Sequence, residues 1–92
     1  MEDSHGISKK ADLYASRRLR EVRESMGLSQ PAFGARIGMK AGTLSAVEVG
    51  RSRMSLGKLA HVAKSVSVPL STFIMPDDDP AFCDNKEEKT AA

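Results

Sequence analysis

The residues of this chain whose types could do chemistry are few, and their spacing excludes most reactions. Two histidines, His5 and His61, lie far apart, and the single cysteine is Cys83. That set matches no zinc-ligand spacing. Residues 38–43 read G-M-K-A-G-T. They look like a phosphate-cradling loop but do not fit G-x-x-x-x-G-K-[ST]. The three aspartates at 77–79 lack the glycine and the terminal glutamate of a calcium loop, and they read as part of a solvated end. Five scattered methionines read as gap-fillers in a core. The inventory therefore predicts no enzyme, no metal, no cofactor and no small-molecule substrate.

What remains is charge. Residues 1–75 hold 12 Lys/Arg and 6 Asp/Glu, whereas residues 76–92 hold 2 and 6. A net charge of +2 thus hides a basic body and an acidic tail. A basic body favours a polyanionic partner, and an acidic end of this kind stays solvated. Forty per cent of the chain is hydrophobic, and no apolar run approaches the roughly 18 residues of a membrane span. The first ten residues, M-E-D-S-H-G-I-S-K-K, contain no apolar signal core. One cysteine cannot form an internal disulfide, which fits a reducing cytoplasm. Ninety-two residues make one modest domain.

The elements that must carry this charge centre on Leu28–Arg51. Ser29 is a good N-cap, and Pro31 fits the first turn of a helix, where a missing N–H costs nothing. Phe33 and Ile37 share a face, and Gly38 ends the helix. A second short helix follows, with Leu44 and Val47 as its inward pair and Gly50 as its stop. The two span about 30–37 and 41–49. Two helices this short cannot stand alone in water and need a scaffold. A first helix, capped by Ser8 or Asp12, runs to about Met26, with Leu19 and Val22 inward and Leu13 or Tyr14 extending the stripe. A fourth, capped by Ser55, runs from Leu56 to about Val66, with Leu56, Leu59, Val62, Ala63 and Val66 on one face. Val68-Pro69 breaks it. Leu70, Phe73 and Ile74 then face inward from a last short helical turn. No stretch reads as a convincing β-strand. A helix-turn-helix that presents its second helix to the DNA major groove has this design.

The order of signals resembles the phage repressor/Cro, or XRE-like, family. The likeness runs from Leu19 to Phe73 through L-R-E-V-R-E-S-M-G-L-S-Q, R-I-G-M, T-L-S-A-V-E-V-G-R, S-L-G-K-L-A-H-V-A-K and V-P-L-S-T-F. It implies an all-α, compact five-helix, lambda-repressor-like domain over 11–75, with a flexible arm at 1–10 and a disordered acidic tail at 76–92.

The resemblance also assigns roles. Gln30 binds a DNA phosphate or a neighbouring base edge, with Ser29 beside it. Lys40, Ala41, Gly42, Thr43, Ser45 and Ala46 lie in the major groove, and Arg51 and Arg53 approach phosphates. The chemistry agrees, since an amide can pair with adenine and a guanidinium can fork onto phosphate. Arg23 and Glu48 form an ion pair that ties the recognition helix to the scaffold.

Departures from the family pattern carry information too. Pro31 and Ala32 stand where acidic residues are common, so no capping box forms with Ser29. In some relatives such acids touch RNA polymerase, and their absence favours repression. Gly34 replaces the usual alanine, Met54 stands where proline is common, and Ser67 stands where glycine often ends the fourth helix. With alanines at 41 and 46, base reading rests on Lys40, Thr43, Ser45 and Gln30. The expected function is a cytoplasmic, bacterial or phage-encoded transcriptional repressor. It binds double-stranded operator DNA as a homodimer through Ile74 and Met75, and is nucleoid-associated through that binding. The other class is a protein-interaction module on the same fold, such as an antitoxin with weak DNA affinity.

Overall fold

The structure is a computed structural model. It describes residues 2–76, with side chains from Lys9 onward. Every regular element among them is helical. Helix α1 spans Glu2–Ser25, α2 Gln30–Ile37, α3 Ala41–Glu48 and α4 Leu56–Ser65, and a 3-10 turn closes the fold at Leu70–Phe73. The described residues therefore hold four α-helices and a 3-10 turn rather than five α-helices. Pro69 leaves only four residues for the last element, and the 3-10 pattern closes them with a bond from the Thr72 N–H to the Pro69 carbonyl (2.9 Å).

One boundary differs from expectation. Helix α1 starts at Glu2, well before Ser8 or Asp12, so the backbone expected as an arm over 1–10 is helical. No proline interrupts that stretch. The expected tail, with Phe82, Cys83 and the three aspartates, lies outside the described residues from 77 onward.

Local signals explain the helix ends. The Ser29 hydroxyl accepts a bond from the Ala32 N–H (3.2 Å), and the Ser55 hydroxyl accepts one from the Lys58 N–H (3.1 Å). Each cap satisfies a backbone donor that its own helix cannot, worth about 1 kcal/mol. Ser67 takes a φ of +60° just after α4. A side chain there costs about 1–2 kcal/mol relative to glycine's ease in this region.

The core joins all five elements. Leu19, Val22, Phe33, Ile37, Leu44, Val47, Leu59, Val62, Ala63 and Phe73 form one buried cluster. Burying each large apolar side chain contributes about 1.5–3 kcal/mol, which is how the tertiary core holds eight-residue helices. Leu13, Leu56 (61% exposed) and Ile74 (41%), expected inward, are exposed. Leu56 occupies the first turn of α4, beyond the end of the core, and Ile74 follows the 3-10 turn on extended backbone. Met75 turns inward instead and is 5% exposed. Although largely buried, it still lines the apolar groove beside Ile74.

Candidate nucleic-acid interface

The α2–turn–α3 unit has an inner face fixed by packing and an outer face that is open. Leu44, Val47 and Glu48 point α3 into the fold. On the other side Lys40, Gly42 and Thr43 are exposed, while Ala41, Ser45 and Ala46 are half-buried. Lys40 precedes α3 on extended backbone and makes no side-chain cap. Lys40 and Thr43 have no side-chain bond among the described residues. Their donors are open to a ligand approaching along the outer face.

A polar cluster locks the inner face. Arg23 Nε donates to Glu48 Oε2 (2.8 Å) and Nη2 to Oε1 (3.2 Å), a forked pair. Nη1 donates to the Leu28 carbonyl (2.8 Å), so one guanidinium joins α1, the loop before α2, and α3. The side chains are 14% and 3% exposed. The hydrogen bond to Glu48 pushes the Arg23 guanidinium above its ordinary range against the opposing effect of burial. The arginine stays charged, and the carboxylate that would repel phosphates is neutralised.

Gln30 belongs to the same cluster. Its Nε2 donates to Glu48 Oε1 (3.0 Å). A carboxylate accepts only, so the amide must turn its nitrogen inward and its oxygen away. One N–H and the carbonyl oxygen remain for a ligand. Glu48 thus orients the side chain that the resemblance assigns to phosphate or base contact. The Ser29 hydroxyl accepts from Ala32 but keeps its own O–H to donate.

Gly34 sets the angle between the two helices. A Cβ there would lie 2.2 Å from the Met39 carbonyl oxygen. The Met39 N–H donates back to the Gly34 carbonyl (2.8 Å). The turn is therefore drawn closer to α2 than any side chain at 34 permits. Gly42, by contrast, has nothing within 4 Å of such an atom.

The loop after α3 is tied to it. The Ala46 carbonyl accepts from both the Arg51 N–H (2.9 Å) and the Ser52 N–H (3.1 Å). Arg51 is exposed and makes no ion pair among the described residues. Arg53 reaches Asp12 on α1 at 3.6 Å, an exposed pair of little strength. Val49 is not among the residues singled out in the sequence. It is 61% exposed at the end of α3. Its place seven residues after Gly42 puts it on the same open face, a spacing readable from the sequence. An apolar side chain there can meet a thymine methyl group.

No helix of the described residues is long and apolar enough to cross a membrane. No group of three or more metal-ligand types gathers among them.

The sequence profile of the helix-turn-helix domain family matches residues 15–69. An HTH-type transcriptional regulator of Sinorhizobium fredii is 35% identical over 69 residues, covering 73% of this chain and 48% of that protein. A transcriptional regulator encoded in the ATPase CF(0) region of Rhodospirillum rubrum is 32% identical over 62 residues, covering 67% and 57%. The chain spans about half the length of these curated relatives. The restriction-modification controller protein C.AhdI from Aeromonas hydrophila superposes with a TM-score of 0.63 at 29% identity, covering 71% of this chain and 96% of that one. The locked inner face, the open outer face and the profile match agree: this chain belongs to the helix-turn-helix domain family, of the XRE-like kind.

Proposed function

We propose that the protein is a sequence-selective DNA-binding transcriptional regulator that acts as a repressor. The observation that carries this reading is the division of α3: Leu44, Val47 and Glu48 are held inward while Lys40, Gly42 and Thr43 stay open. The outer face, with Ser45, Ala41 and Ala46 at its margins, enters the major groove. Ser29, Gln30, Arg51 and Arg53 meet phosphates on either side. The first turn of α2 carries no acidic residue, which favours repression over polymerase contact. The DNA-binding unit extends to about residue 75.

A single recognition helix reads only a few base pairs, so specific operators for this fold pair two half-sites about 34 Å apart. The proposed functional form is therefore a two-fold dimer. Its candidate surface is the apolar groove of about 370 Å³ lined by Ala15, Met54, Leu56, Ile74 and neighbours. Ile74→Asp places a charge in that contact. It is expected to give a folded monomer with much weaker operator binding. The same groove favours the second reading, a module that binds another protein. Incubation with a random-sequence duplex pool separates the two. Enrichment of a two-fold symmetric site supports the regulator, and a pool recovered without enrichment supports the protein-binding module.

A further inference from the structure

We infer that the groove between α1 and the loop after α3 holds a backbone phosphate of the duplex just outside the half-site, with Lys9 and Ser16 as its contacts beside Arg51 and Arg53. The inference rests on the DNA-binding reading above. Lys9, Asp12, Leu13 and Ser16 recur at i, i+3, i+4 and i+7, so they share one face of α1. Opposite them run Gly50, Arg51, Ser52 and Arg53, and the space between is about 240 Å³.

Three cations line this groove against one carboxylate, that of Asp12. Arg53 already engages Asp12 at 3.6 Å. The walls close because residue 50 lacks a side chain: a Cβ there would lie 2.9 Å from Leu13 Cδ2.

Ser16 is the second, independent sign of a ligand. It is 5% exposed, lines the groove, and makes no hydrogen bond among the described residues. No fully buried side-chain polar atom there lacks a partner. The Ser16 hydroxyl must therefore open into the groove, where it can donate to an oxygen anion. Opened to the groove, this hydroxyl is hydrated in the free protein, and a phosphate oxygen can take the place of that water as acceptor.

The backbone of a duplex is the occupant that this position favours. Two bonds to the Ala46 carbonyl tie the loop to α3, so DNA seated on α3 brings its backbone past Arg51. Three flexible cations beside a carboxylate bind a free anion weakly. A phosphate already held by the docked duplex arrives at high effective concentration. Lys9 would then extend the protein's footprint beyond the two motif helices.

The test is the salt dependence of binding to a mixed-sequence duplex of about 30 base pairs, long enough to leave flanking phosphates on both sides. Lys9→Gln is expected to make the slope of log affinity against log salt shallower by about 0.9, one phosphate's worth. Ser16→Ala should lower affinity about three- to tenfold with the slope unchanged, because it removes a neutral donor. Lys64→Gln, an exposed charge on the last turn of α4, serves as the control that leaves the slope alone. A Lys9→Gln slope equal to wild type overturns the inference. So does saturable binding of inorganic phosphate at Ser16 together with that unchanged slope, which would make the groove a free-anion site. Absence of any duplex binding by the wild type would instead sink the DNA-binding reading itself.

Discussion

The two faces of α3 are built under opposite rules. Inward, Leu44 and Val47 fill the core, Glu48 takes bonds from Arg23 and Gln30, and the turn before α3 touches Gly34. Outward, Lys40, Gly42, Thr43 and Val49 touch little of their own chain. Of the eight residues of α3, Leu44, Val47 and Glu48 are buried, Gly42 and Thr43 are exposed, and Ala41, Ser45 and Ala46 lie between. On a helix too short to fold alone, the packed face holds α3 in position, and the proposed binding role falls on the open face.

The largest test of this contrast is Glu48→Leu. It leaves the Arg23 guanidinium and the Gln30 amide without their acceptor in a largely buried site. The expected loss is about 3–5 kcal/mol in urea denaturation, the usual cost of orphaning one member of a buried pair. A loss near zero would mean that packing alone sets the pose of α3.

Two glycines sharpen the comparison, since the same substitution should act with opposite sign where the turn packs on α2 and where α3 is open. Gly34→Ala drives a methyl into the Met39 carbonyl and should cost a net of about 1–3 kcal/mol despite alanine's better helix propensity. Gly42→Ala meets open space and should stabilise by about 1 kcal/mol. Thermal melts of both variants check this, and equal signs would remove the distinction.

The smallest effect on stability belongs to Arg51→Ala, within about 0.5 kcal/mol, as for other surface changes without partners. Its expected effect is on binding: affinity falls for all sequences alike, and the salt slope becomes shallower by about 0.9. Unchanged affinity would remove Arg51 from the interface.

The short-range features of this contrast are legible in the sequence. Ser29 as a cap, Pro31 in a first turn, Phe33 with Ile37, and Gly38 as a stop each depend on neighbours within one or two turns. Features set by distant contacts are not. Arg23 and Glu48 are 25 positions apart, beyond the reach of periodicity, and only the resemblance joined them. The Gln30 bond to Glu48 and the approach of Met39 to Gly34 depend on how α2 meets α3. Leu56 and Ile74 follow the apolar pattern yet stay exposed, because the core ends before it reaches them. Met75 shows the reverse, an apolar residue expected at a dimer surface that the fold largely buries. The start of α1 at Glu2 had no cap to announce it.

The claim that the open half of α3 is the binding half can be tested residue by residue with amide NMR shifts during titration of a duplex into the labelled protein. The account predicts the largest changes at Gln30, Lys40 through Ala46, Val49 and the Arg51–Arg53 loop, with Leu59 and Val62 on α4 unmoved. Changes concentrated instead around Met54, Leu56 and Ile74, with α3 silent, would contradict it and make the apolar groove the working surface.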